Sequence, residues 1–222
     1  MTDDNVADLY PWRGVYNAIR ASILEGTYSP GERLVEQQLA NRFGTSRGPI
    51  RTALQELERT GLIVSIDRRG TFVRQLSPAD VEEIISLWMV LWPFALERAM
   101  ARLGAEARAS LEEFKVQMPS EADGETLLAK GVDFVRLILR IAGHQRLVEI
   151  AESLIIQAQA RAFFVESDES ETWKPRAADL VGICDALLHG DLEAAIGGSN
   201  PWVGAYQSWL ADHPLPPPGL GR

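Results

Sequence analysis

Apolar residues return every three or four positions through residues 12–25, with Val15, Ala18, Ile19 and Ile23 on one side, and predict an amphipathic helix. Two shorter periodic runs lie between Leu34 and Gly61, separated by Gly44-Thr45-Ser46. That break halts one helix and starts the next, with Ser46 as an N-cap whose hydroxyl accepts an orphan backbone N–H. Ile50, Ala53, Leu54 and Leu57 make the apolar stripe of the later helix, and Gly61 suits its C-cap. Residues 62–66 and 71–74 then read as a strand pair around the turn Asp67-Arg68-Arg69-Gly70. Gln75-Leu76-Ser77-Pro78 is a short polar break, with Ser77 as N-cap and Pro78 at the first helical position.

Beyond residue 76 the pattern is helical, in segments 78–103, 105–117, 124–142, 145–166, 171–189 and 191–211. Gly104, Pro119, Gly143 and Gly190 fall at the joints. Residues 213–222 are rich in Pro and Gly and are expected to be disordered. The pattern predicts a mostly α chain. Residues 1–76 hold three helices and a β-hairpin, residues 77–212 an all-α helical bundle, and 213–222 a tail.

Composition narrows the class. With 222 residues, 46% hydrophobic and 24% charged, this is an ordinary globular composition with room for one large or two small cores. A single cysteine, Cys184, excludes an internal disulfide, and its apolar surroundings suit a buried small hydrophobe. The acidic amino end offers no signal peptide and no membrane span is seen, so a reducing cytoplasm is expected. The net charge of -9 is unevenly spread: residues 1–76 carry ten Arg, no Lys and nine acids, leaving residues 77–222 strongly acidic. The acidic part repels phosphate and leaves the arginine-bearing part as the docking surface.

Those arginines have a pattern. Arg47 and Arg51 are four residues apart on the first turns of one helix, opposite its apolar stripe. An Arg can take both guanine acceptors in a major groove or clamp a phosphate. Alone, such a pair reads equally as a solvated face. The order of helix, tight turn, helix with paired Arg, and hairpin with two cations at its tip favours a winged helix-turn-helix that binds DNA.

Residues Gly26 through Gly70 resemble the winged helix-turn-helix of GntR-type bacterial transcription regulators. The matching pieces are Gly26-Thr27-Tyr28-Ser29-Pro30-Gly31, Leu34, Glu36, Leu39-Ala40, then Gly44 through Arg51. Ala53-Leu54, Leu57, Gly61-Leu62 and Arg69-Gly70 complete the set. The resemblance implies that Arg47 and Arg51 contact operator DNA and that Gly70 lets the wing approach a groove. Ser46, Gly48, Arg69 and Thr71 join them as expected DNA-binding residues. Gln37 departs, standing where a long-chain acyl-CoA-responsive member carries a DNA-contacting Arg.

The helical part resembles the effector-binding FCD domain of the FadR branch. Three patches carry this: Ala142-Gly143-His144-Gln145-Arg146-Leu147, then Ile183 with Ala186-Leu187 and Gly190-Asp191, and the register of residues 81–91. Many such domains bind a divalent metal through one Asp and three His. The corresponding places here hold Gly131, Val135, Leu180 and Trp202, none a ligand, and Asp133 lies about 200° around the helix from the expected position. No metal and no other cofactor is expected. His144, His189 and His213 fall at helix ends or in the tail, as capping or surface residues. Where the family presents an Arg and a Glu four residues apart toward the cavity, this chain has Trp88 and Trp92. Trp88, Trp92, Val135, Leu180 and Trp202 would then line an apolar pocket for a small hydrophobic effector. Arg136, Arg140 and Arg161 are candidate anionic anchors at its edge. The competing reading is that the same side chains fill a core.

These readings converge on a ligand-responsive DNA-binding transcriptional regulator, a repressor working as a homodimer on a pseudo-palindromic operator in double-stranded DNA, and nucleoid-associated when bound. Effector binding would tilt the helix 78–103, with Pro93 as a pivot. The alternative is an effector-independent architectural DNA-binding dimer with a filled carboxyl-terminal core. An enzyme is not expected: no nucleophile–base order, phosphate-cradling Gly loop or acid–base carboxylate pair stands in a recognisable frame.

Overall fold

The computed structural model describes residues 11–118, 124–163 and 177–199. They form helices α1 (Pro11–Leu24), α2 (Glu36–Arg42), α3 (Arg47–Arg59), α4 (Pro78–Met100), α5 (Ala105–Val116), α6 (Gly124–Ala142), α7 (Gln145–Phe163), α8 (Ala177–His189) and α9 (Leu192–Gly197). Strands β1 (Arg33–Leu34), β2 (Ile63–Ile66) and β3 (Gly70–Val73) complete the elements. The described residues are mostly α, a helix-turn-helix with a wing and then helices. Two compact units are present. The first holds residues through Ser77 together with α7 from Glu152, and the second begins at Pro78 and includes α7 through Ala151.

In the first unit, α1 packs on α3 because each carries an apolar stripe at helical spacing. Val15, Ile19 and Ile23 meet Ile50, Ala53, Leu54 and Leu57 in one core with Leu34, Leu39, Leu62, Ile63 and Ile156. Ile19, Ile23, Ile50 and Leu57 expose nothing, and each such burial stabilises the fold by about 1.5–3 kcal/mol. The sheet has order β1-β3-β2, all antiparallel, with Arg33 opposite Phe72 and Val64 opposite Phe72 on the other side. Strand β1 was not foreseen, for its two residues are too few to show a period and only pairing to β3 orders them. Gly61 ends α3 at φ 78°, its N–H bonding Glu58 O while Leu62 N bonds Leu57 O. That is the left-handed closure that favours glycine after a helix.

In the second unit, α4 packs on α6, α8 and α9, while α5 packs on α6 and α8. Leu96, Leu111, Phe134, Ile138, Leu139, Leu180, Ile183 and Leu187 are fully buried between them. Cys184 is buried among them, and burial pushes its thiol up to about 12, so it behaves as a hydrophobe. His144 Nδ1 accepts the Leu147 N–H at 3.2 Å and caps α7, and Asp191 Oδ1 accepts the Ala194 N–H at 2.9 Å and caps α9. Helix α4 ends at Met100, three residues before the predicted 103, where Ala101 and Arg102 turn toward Gly104. Helix α9 ends at Gly197, and the rest of the predicted segment 191–211 beyond Ser199, like the tail, lies outside the described residues. So does the start of the predicted segment 171–189.

Candidate nucleic-acid interface

The turn between α2 and α3 is closed by a backbone hydrogen bond. Gly44 takes φ 60°, and Thr45 N bonds Ala40 O across it at 3.1 Å. Ser46 occupies the N-cap position in extended conformation, but its hydroxyl makes no capping bond, contrary to the expectation from its type. The cap is exposed, and water can satisfy the first N–H groups there.

Helix α3 turns its apolar stripe into the core and leaves Arg47, Gly48, Arg51 and Thr52 outside. Gly48 is bare backbone: a side chain added there would meet nothing within 4 Å. The side chains of Arg47 and Arg51 are 57% and 61% exposed. They are not simply extended into solvent, for both converge on Glu36, the first residue of α2. Glu36 Oε2 accepts from Arg47 Nη2 at 2.7 Å and Nε at 3.1 Å, and from Arg51 Nη2 at 3.2 Å. Its Oε1 accepts from Arg51 Nε at 3.2 Å. Hydrogen bonds from Arg51 and then Arg47 hold the Glu36 carboxyl below the ordinary carboxylate range. Glu36 was matched in sequence only as a family position. An acid in the first turn of a helix is explained by the helix dipole alone, so nothing local marked it as a partner of two arginines. Gln37, the departing position, is exposed and bonds Asn41 on its own helix.

The wing is the β2–β3 hairpin. Its tip residues Asp67, Arg68 and Arg69 are exposed, and Arg68 takes φ 60°. Gly70, at φ 115°, takes a conformation that favours glycine. The backbone conformation is strained for other residues, whereas the Arg33 Nε, 2.9 Å from where a Cβ would stand, belongs to a flexible side chain that can shift. Thr71 is half-buried, its hydroxyl 3.4 Å from that of Ser65 across the strands. The expected DNA-binding residues therefore fall on two elements of one unit, the exposed face of α3 and the wing.

The residues expected to line an effector pocket divide. Trp88 and Trp92 lie edge to face at 6.2 Å on α4, and Trp92 continues to Phe134 at 6.1 Å and Phe134 to Phe114 at 5.2 Å. Trp92 is buried, its indole N–H donating to Ser199 Oγ at 2.6 Å. Leu180 exposes 0% and is packed among the buried core residues. Trp88 and Val135 are half-buried. Trp202 lies outside the described residues. The aromatic partners Phe114 and Phe134 and the acceptor Ser199 were not foreseen, since their meeting depends on how α4, α5, α6 and α9 pack.

The metal site of related domains does not fit these residues. Gly131 and Leu180 are buried, Val135 is half-buried, and none has a donor atom, while Asp133 is turned out and exposed. Among the described residues no three His, Cys, Asp or Glu side chains converge. Nor, among them, is any helix long and apolar enough to cross a membrane.

Comparison with known proteins agrees with this architecture. Residues 11–73 match the family described as bacterial regulatory proteins, gntR family, and residues 83–196 match the FCD domain. A protein described as the probable D-xylose utilization operon transcriptional repressor of Paenarthrobacter nicotinovorans is 30% identical over 205 residues, covering 86% of this chain and 85% of that one. The HTH-type transcriptional regulator YdhC of Bacillus subtilis is 40% identical over 97 residues, 44% of this chain but only 43% of that protein. A GntR regulator structure from Rhodococcus sp. RHA1 superposes with a TM-score of 0.73 at 20% identity, over 92% of this chain and 99% of that one, and supports the fold.

The chain belongs to the GntR family and carries an FCD domain. It is a DNA-binding transcriptional regulator and not an enzyme.

Proposed function

We propose that this regulator is a repressor that binds a pseudo-palindromic operator as a homodimer in the bacterial cytoplasm, one winged helix to each half-site. Arg47 and Arg51 reach base edges or phosphates, Ser46 and Gly48 admit the backbone at the start of α3, and Arg69, Gly70 and Thr71 carry the wing. The observation behind this reading is the pair of exposed guanidinium groups on the first two turns of a helix whose opposite face is locked in a core. Two modules per operator supply the affinity that one short helix lacks. An apolar stripe on α4, Leu87, Val90 and Phe94, supports a second copy as partner. These residues share one face at helical spacing, and Val90 is 71% exposed. Substituting Arg47→Ala is expected to weaken operator binding by about 1–3 kcal/mol with the melting temperature nearly unchanged. A mobility-shift assay that finds binding unaltered removes Arg47 from the contacts.

The helical domain takes a small hydrophobic effector without metal, with the half-buried Trp88 and Val135 as its nearest contacts. Effector binding shifts α4 and with it the spacing of the DNA heads. The burial of Leu180 and the bonded indole of Trp92 favour a second reading, a filled core and an effector-independent dimer. Titrating tryptophan fluorescence with lipophilic compounds separates the two, since a filled core gives no saturable change and no change in operator affinity.

A further inference from the structure

We infer that Glu36 is a specificity-determining residue of the DNA interface, a carboxylate clamp that positions Arg47 and Arg51 for bases and withholds them from indiscriminate phosphate binding. The inference rests on the reading that these two arginines contact DNA. The clamp is not explained by stability, because an exposed ion pair of this kind contributes little to the fold. Its geometry is specific in another respect. Each guanidinium gives Glu36 its Nε–H and one Nη2–H. Of the five N–H groups on each Arg, the end-on pair formed by Nη1 and the remaining Nη2 hydrogen is left facing away from Glu36. That is a fork able to meet two acceptors on one base.

Two consequences follow from the charges. Two guanidinium groups within hydrogen-bond reach of one carboxylate would repel each other without it, so Glu36 allows them to share one small area. It also offsets one of their two positive charges, lowering the attraction to any phosphate irrespective of sequence. Ordering the arginines before DNA arrives reduces what must be immobilised on binding. Base readout gains from both effects, and non-specific binding loses from the second.

The test uses the full chain, with duplexes enriched from a random-sequence library by the unsubstituted protein and a scrambled duplex of the same composition. Binding is measured between roughly 50 and 200 mM salt, the range over which phosphate contacts separate from the rest. Glu36→Gln keeps the shape and removes the charge. Its expected effects are tighter binding to the scrambled duplex at low salt and a log–log salt slope steeper by about 0.9, one further phosphate neutralised. The preference for the enriched duplex falls roughly tenfold as the two side chains lose their ordering, while the melting temperature stays put. Glu36→Asp, which keeps the charge, recovers part of the preference. An unchanged preference and slope in Glu36→Gln, beside lost binding in the Arg47→Ala/Arg51→Ala double variant, overturns the clamp and leaves the DNA contacts standing. If the double variant binds both duplexes like the unsubstituted chain, the contacts fail and the clamp with them.

Discussion

Ser199→Ala probes how the second unit uses its tryptophans. Ser199 is buried, and its Oγ accepts the Trp92 indole N–H at 2.6 Å while donating to Ala195 O at 3.2 Å. Replacing it with Ala removes one oxygen and little volume, so packing loss is small. What changes is that a buried indole N–H is left without its acceptor, a penalty of about 1–3 kcal/mol. For a chain of this size each kcal/mol lowers the melting temperature by about 2–4 °C. Trp92→Phe removes the donor instead, and the double variant removes both. Since the orphaned group then no longer exists, the double variant is expected to be less destabilised than the two single losses together, by about 0.5–3 kcal/mol. Urea unfolding of the four full-length proteins, followed by circular dichroism, supplies the cycle. If Ser199→Ala unfolds like the parent and the losses add, the hydrogen bond does not hold Trp92 in place. The indole would then be available to a ligand.

Two further predictions concern positions outside the expected DNA contacts. Gly61→Ala places a side chain at φ 78°, where its Cβ would stand 2.7 Å from the Gln157 side chain. A loss of about 1–2 kcal/mol for the left-handed backbone alone is expected, seen as a lower urea midpoint, and an unchanged midpoint refutes it. Cys184, with its thiol pushed up to about 12, stays protonated near neutral pH. A thiol reagent at pH 8 is expected to leave the native protein unmodified and to label one site after denaturation. Rapid labelling of the native protein contradicts the burial.

What could be read from sequence followed short-range physics. Helical periodicity placed the apolar stripes of α1 and α3, and glycine or proline marked the joints, because both depend on residues within a turn or two of each other. The order of a helix, a break, an Arg-bearing helix and a hairpin was therefore legible, and so was the family. The resemblance puts Gly131, Val135, Leu180 and Trp202 at the family's metal-binding places, and that none of these types has a ligating side chain needs no structure.

Packing decided the remainder. Arg33 pairs with Phe72 only after the hairpin folds back, so β1 left no local trace. Glu36 meets Arg47 and Arg51 across the α2–α3 turn, 11 and 15 residues away, and Trp92 finds its acceptor 107 residues later at Ser199. The full burial of Leu180 likewise depends on its neighbours, which leave it no accessible surface. A residue's type states which bonds it can make. Only the positions of distant elements determine whether the partner is a base, a carboxylate of the same chain, or a tightly packed interior.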